Sequence, residues 1–124
     1  ITDIQDGLFT LGDEIKLGQV LYNLIGNAVN YTGDDKKVFI SLKKINERVF
    51  RFEVRDTGLG ISKEELPNIW DRYYRSAQTH KRPVKSTGLG LSIVKTVLES
   101  HGAVYGGEST LGVGSTFWFE LPIA

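Results

Sequence analysis

The 124-residue sequence contains neither cysteine nor methionine. Without cysteine there can be no disulfide and no thiolate metal site, and the redox compartment stays open. Methionine is missing even at position 1, where Ile1 stands, so the chain is expected to be a piece of a larger protein. Net charge is absent as well, because 15 Lys and Arg balance 15 Asp and Glu. No global field therefore draws the domain to nucleic acid or to an anionic membrane. No apolar run approaches the roughly 20 residues of a membrane span, and no signal peptide is visible.

What is present suits one globular domain with a core of its own: 40% of residues are hydrophobic and 10% aromatic. Ile1 to Leu11 carries short apolar pairs around Asp6-Gly7 and reads as an edge strand or hairpin. Asp13 can cap a helix whose first turn holds Glu14. Leu17, Val20, Leu21, Leu24, Ile25 and Ala28 then recur at helical spacing to about Thr32, with Gly33-Asp34-Asp35 as the stop. Val38 to Lys44 and Val49 to Arg55 alternate with period two around Asn46-Glu47, the pattern of an antiparallel hairpin. A short helix, irregular at Pro67, is predicted from Ser62 to Trp70, and a longer one from Leu89 to Ser100 with Gly102 as a left-handed cap. Two final strands, Ala103 to Tyr105 and Thr116 to Leu121, are read as joined across Gly106, Gly107, Gly112 and Gly114.

Three stretches carry chemistry. Asn23 and Asn27 stack one turn apart on the first long helix, although Asn is a mediocre helix former. Such a pair is either surface polarity, a bond to a neighbouring strand, or two amide oxygens aimed at a hard cation whose shell phosphate oxygens would complete. Asp56-Thr57-Gly58-Leu59-Gly60-Ile61 puts an acid at a strand end before two spaced glycines, as a local turn or as a carboxylate facing a pocket floored by backbone. Thr87-Gly88-Leu89-Gly90-Leu91 hinges into a helix, where Gly lets backbone N–H groups approach an anion. Between the last two lie Arg72-Tyr73-Tyr74-Arg75 and a polar, basic segment from Ser76 to Ser86, placed where a closing lid would sit. A Rossmann fingerprint fails because Lys63 stands at the third glycine position and the preceding strands form a hairpin; no P-loop run exists. Neither His80 nor His101 has a metal-ligand neighbour at useful spacing, and both read as surface or capping residues.

In this order the stretches resemble the catalytic and ATP-binding domain of bacterial sensor histidine kinases, within the wider superfamily of gyrase, chaperone, kinase and MutL ATPases. Gln19 to Ala28, Asp56 to Ile61, Ile69 to Arg75, Thr87 to Lys95 and Gly112 to Phe117 carry the likeness, which covers nearly the whole chain. The resemblance implies an α+β fold: a two-layer sandwich with a mixed, mostly antiparallel sheet on about three helices. It implies ATP and Mg2+ as ligands. Asn27 matches the magnesium ligand and Asn23 its neighbour in the same site; Asp56 matches the acceptor of the adenine amino group. Gly58 and Gly60 match the adenine turn, Gly88 and Gly90 the lid hinge, and Tyr31 an aromatic near the base. Arg75 matches the arginine that approaches the terminal phosphates, making Asn27 and Arg75 the implied catalytic pair. Thr116 lies where the family supports the adenine carboxylate, and Asn30, Ile61, Tyr74, Thr87, Leu89 and Leu91 complete the implied nucleotide contacts.

The sequence departs from the family pattern at Asn30, where Lys or Arg is common, at Trp70 for Phe, and at Ser86 for Gly. One expected function is therefore transfer of the γ-phosphate to a histidine on a separate helical dimerisation domain, with a response regulator downstream; the alternative, favoured by Asn30, is a nucleotide-sensing module without efficient transfer. An ATP-hydrolysing relative would carry a general-base Glu where Asn23 stands. The isolated domain is expected to be monomeric and to phosphorylate little by itself.

Overall fold

Asp13 opens the first helix as its place in the sequence dictates. Its carboxylate accepts from the Lys16 N–H at 3.0 Å, satisfying one of the unpaired donors of the first turn of α1 (Glu14–Tyr31). The structure is a computed structural model and describes residues 2–4, 10, 12–70 and 90–124. After α1 come β2 (Val38–Lys44), β3 (Val49–Asp56), a single 3-10 turn (Leu66–Asn68), α2 (Gly90–Ser100), β4 (Val104–Thr110) and β5 (Gly114–Pro122), with β1 (Thr2–Ile4) before them.

The strands form one sheet in the order β1-β2-β3-β5-β4, parallel only between β1 and β2. The α+β sandwich with a mixed, mostly antiparallel sheet is thus as expected. Period-two alternation turns Phe50, Phe52 and Val54 of β3 and Phe117, Phe119 and Leu121 of β5 toward the helices. Val20, Leu24 and Ala28 of α1 and Val94, Val97 and Leu98 of α2 meet them. Burying each large apolar side chain is worth roughly 1.5–3 kcal/mol, whereas an exposed ion pair such as Lys44–Glu47 is worth under about 1 kcal/mol. The apolar interface therefore holds the sandwich. The far face of the sheet is closed by its own polar ladder: Arg51 lies 4.1 Å above the Trp118 ring and 3.3 Å from Glu120, and Arg55 covers Phe39.

Two details differ from expectation. Ser62 to Trp70 forms turns around the 3-10 segment instead of an α-helix, because Pro67 lacks an N–H and disfavours α geometry at Leu66. Among the described residues there are accordingly two α-helices and one 3-10 turn. Gly106 and Gly107 belong to β4 rather than to a connection. A Cβ at either would stand 2.9–3.0 Å from the Trp118 or Phe117 ring, so these positions are extended strand roofed by aromatics of β5. Gly102 takes the expected left-handed cap at φ 67°. The expected start of α2 at Leu89 and most of the first eleven residues lie outside the described set.

Candidate functional site

Asp56 ends β3 with its side chain on the helix side of the sheet and only 4% exposed. Its Oδ1 accepts from the Gly58 N–H at 2.9 Å, folding the chain back at once. Gly58 meets a second constraint, since a Cβ there would collide with the Tyr31 carbonyl oxygen. The last turn of α1 thus rests directly on the backbone of the Asp56 turn. Gly60, at φ 78°, presses in the same way on the Thr110 carbonyl of the β4–β5 hairpin. The turn is gripped from both sides by backbone, which explains both glycines without a ligand.

Polar side chains tighten the grip. Thr57 donates to Asp35 and contacts Thr32, whose hydroxyl donates to the Lys37 carbonyl at 2.6 Å. The Thr57 hydroxyl first, and the Lys37 N–H after it, hold the Asp35 carboxyl below its ordinary value. The folded state thus prefers ionised Asp35, so this contribution is complete above the unfolded carboxylate value and fades as pH falls through the lower folded one. Beneath the turn, Ser109 accepts from the Ile61 N–H at 2.7 Å, donates to the Gly114 carbonyl and lies 2.8 Å from Ser115. Thr57 and Ser115 lie within quoted motifs and Asp35 in the helix stop, but the sequence assigns a role in the site to none of them, nor to Ser109. Strand parity alone would have found Ser115.

Parity also corrects one expectation. Thr116 pairs with Arg55, which puts it on the far face of the sheet, while Ser115 is the residue opposite Asp56. On this strand it is Ser115, not Thr116, that shares the face of Asp56.

The amides line up with the turn. At 3.6 residues per turn, Asn23, Asn27 and Asn30 share one side of α1, beside its buried stripe. A rise of 1.5 Å per residue sets Asn27 about 6 Å and Asn23 about 12 Å back along the axis from Tyr31. Asn23 and Asn27 are half-buried and Asn30 is exposed. The Asn23 Nδ2 is shut off from solvent and finds no hydrogen-bond partner among the described residues. A buried donor left unmet costs about 1–3 kcal/mol, which sets Asn23 apart from the other polar groups of α1.

Two contacts align α2 with this row. The helices pack together, and His101, just past the end of α2, touches the start of α1, so they run in opposite directions. Eleven residues of α2 span about 16 Å. Gly90 therefore begins α2 level with the Asn23–Asn27 stretch, and Leu91 is half-buried against the core behind it. The structure so brings together Asn23, Asn27, Tyr31, Asp56, Gly58, Gly60, Ile61, Gly90 and Leu91 on one side of the sheet. Tyr74, Arg75, Thr87, Gly88, Leu89 and the basic segment before them lie outside the described residues.

With an acid-capped turn, a row of amides and a glycine-started helix at one level, comparison with known proteins becomes decisive. The model for histidine kinase-, DNA gyrase B- and HSP90-like ATPases matches residues 12–124. The chain belongs to this ATPase family. Drug sensory protein A of Synechocystis is 38% identical over 124 residues, which cover 93% of this chain and 19% of that protein. The mycobacterial sensor histidine kinase MprB has the same fold at a TM-score of 0.85 and 25% identity, over 98% of this chain and 81% of that one. Full-length ShkA in complex with AMPPNP aligns at a TM-score of 0.78 and 31% identity, over 99% of this chain and 26% of that one. The chain spans about a fifth of the length of curated relatives such as Drug sensory protein A and WalK of Bacillus subtilis.

Proposed function

We propose that the domain holds ATP with magnesium along the amide side of α1 and presents the γ-phosphate to a histidine on a separate helical dimerisation domain. In the transfer, the bond from the γ-phosphorus to the β,γ-bridging oxygen breaks, a bond from phosphorus to an imidazole nitrogen forms, and ADP leaves. The reading places the domain on the cytoplasmic side of a membrane-tethered bacterial kinase, with a response regulator as the next acceptor. The observation that carries it is the contact of Gly58 with the Tyr31 carbonyl, which locks an acid suited to adenine onto the helix that bears the amides. ShkA, a relative at 31% identity, holds the ATP analogue AMPPNP.

The residues fit both ligands. The buried Asn23 Nδ2 needs an acceptor, and a phosphate oxygen is one. Among the described residues no three His, Asp or Glu side chains gather around a metal, so a cation here would rest on the neutral amide oxygens of Asn27 and Asn23, with phosphate oxygens completing its shell. When bound, magnesium neutralises phosphate charge; the chain itself orients the nucleotide and excludes water. Both ring nitrogens of His101 are engaged within the fold, which supports an acceptor other than His101.

Titration with ATP and ADP, with and without magnesium, tests the reading. Wild type is expected to bind more tightly with the metal, and Asn27→Ala to lose that difference while keeping the fold. An unchanged magnesium increment in the variant would remove Asn27 from the metal site. Asn30, exposed where relatives commonly carry a cation, favours a second reading in which the domain closes on nucleotide without efficient transfer. Labelled ATP and a cognate helical domain separate the two: label on histidine supports transfer, and bound ATP without label supports sensing.

A further inference from the structure

The N–H of a helix N-cap residue is often met by Glu or Gln at the third helical position. In α1 that position is Lys16, which has no acceptor to offer. The partner comes instead from the other helix: the Asp13 N–H donates to His101 Nε2 at 3.0 Å. On the opposite side of the ring, Nδ1 lies 2.8 Å from the Val97 carbonyl oxygen, which can only accept. These two contacts assign the tautomer. Nδ1 carries the proton and Nε2 the lone pair, so the imidazole is neutral. Ser100 gives its own proton to the Val97 carbonyl at 2.7 Å and stands 3.3 Å from Nδ1, leaving that assignment intact. The ring also fills the space over Gly12, where a Cβ would stand 2.8 Å from His101 Cδ2 and 2.7 Å from Leu17 Cδ1.

We propose that His101 is a positioning residue, a proton-sensitive latch that caps α1 from α2 and holds the two helices in register only while its imidazole is neutral. Protonation of Nε2 sets an N–H against the Asp13 N–H, so the bond is lost and the first turn of α1 loses its outside cap. The charged groups on the packed elements are known. The Asp13 carboxylate already accepts from Lys16 N, Glu14 and Lys16 lie on the first turn of α1, and Glu99 of α2 accepts from the Tyr105 hydroxyl at 2.8 Å. Nε2 can accept from the Asp13 N–H only while it carries a lone pair, so the latch is closed with the ring in this tautomer and open once a proton occupies Nε2. The consequence for ligand binding rests on the nucleotide reading above. α1 carries Asn23 and Asn27, and α2 begins at Gly90 on their level, so slackening at the shared far end loosens the whole row.

The test follows the 124-residue domain by NMR from about pH 8 to pH 5, the range over which histidines change charge. At the upper limit, imidazole 15N shifts are expected to report the Nδ1–H tautomer. On acidification, the protection factor of the Asp13 amide, measured against the intrinsic exchange rate at each pH, is expected to fall by roughly fivefold, the worth of one hydrogen bond of about 1 kcal/mol. His101→Gln keeps an acceptor and a donor but does not titrate, so its Asp13 amide stays protected throughout; His101→Phe loses that protection at every pH. An Nε2–H tautomer, or an Asp13 amide indifferent to pH in wild type, overturns the latch. Magnesium-ATP affinity measured alongside is expected to fall on acidification more in wild type than in His101→Gln, and equal falls overturn the link to the ligand. A domain that binds no ATP at any pH while its Asp13 amide titrates as described supports the latch and refutes the nucleotide reading alone.

Discussion

Gly58→Ala is expected to destabilise the domain by about 3 kcal/mol, at the upper end of what overpacking costs. For a chain of this size that lowers the melting temperature by roughly 10 °C. The added methyl meets the Tyr31 carbonyl oxygen and stands 3.0 Å from Asp56 Oδ1. The first obstacle is backbone at the end of an 18-residue helix, and the second belongs to a buried carboxylate that accepts from residue 58 itself. Neither can swing aside as a flexible side chain would, so relief comes only by parting α1 from the β3 exit. That movement separates the acid from the amide row, and nucleotide affinity is expected to fall together with stability. Gly18→Ala and Gly26→Ala are the controls. Both lie within α1, where a Cβ meets nothing within 4 Å, and each is expected to gain about 0.5–1 kcal/mol from helix propensity. Thermal or urea unfolding of the three variants decides the matter. A Gly58→Ala domain as stable as wild type would show that the Tyr31 contact yields easily and does not lock the site.

Much of this frame is legible in the residues because each element carries its own signal. The apolar stripe of α1 repeats at helical spacing and is bracketed by Asp13 and Gly33, so both ends and the buried side follow from composition alone. The β2–β3 hairpin alternates cleanly about Asn46, whose Oδ1 accepts from the N–H groups of Arg48 and Val49. β4 is illegible at its centre for the opposite reason. Gly106 and Gly107 have no side chain to alternate, and the rings that hold them in the sheet sit on another strand. The parallel pairing of Thr2–Ile4 with Ile40–Leu42 is likewise a property of the assembled sheet, not of three residues.

The site divides along the same line. Asp56 and its glycines stand out as a spaced acid-glycine motif, and the Asn pair stands out because amides are unusual within a helix. What holds them does not. Tyr31 acts through a carbonyl that every residue has, and Ser109 and Ser115 are ordinary strand residues until β4 and β5 pair. His101 looks like a local cap at the end of α2, yet its Nε2 serves a residue 88 positions earlier. Groups that donate chemistry are visible by type, while groups that fix geometry are visible only once the chain has folded.

Asp56→Asn should separate binding from folding. The substituted amide keeps an oxygen where Oδ1 accepts from the Gly58 N–H, so the turn survives and the unfolding midpoint is expected to stay near wild type. The change comes at the edge offered to the base. A carboxylate only accepts, which suits the amino group of adenine, whereas the amide presents N–H donors. Losing a hydrogen bond to a charged acceptor costs about 1.5–3 kcal/mol, so ATP affinity is expected to fall by roughly 10- to 150-fold. Guanine carries a carbonyl where adenine carries the amino group, so under the proposed reading wild type sets a buried charge against an acceptor and is expected to reject GTP. Asp56→Asn turns that repulsion into a donor–acceptor pair, and GTP binding is expected to improve while ATP binding declines. Parallel titration of both nucleotides against wild type and variant reads the two effects, with the melting temperature as the check on the fold. Unaltered ATP affinity in a folded variant would place the base elsewhere, and equal losses for ATP and GTP would mean that Asp56 supports the pocket without reading its occupant.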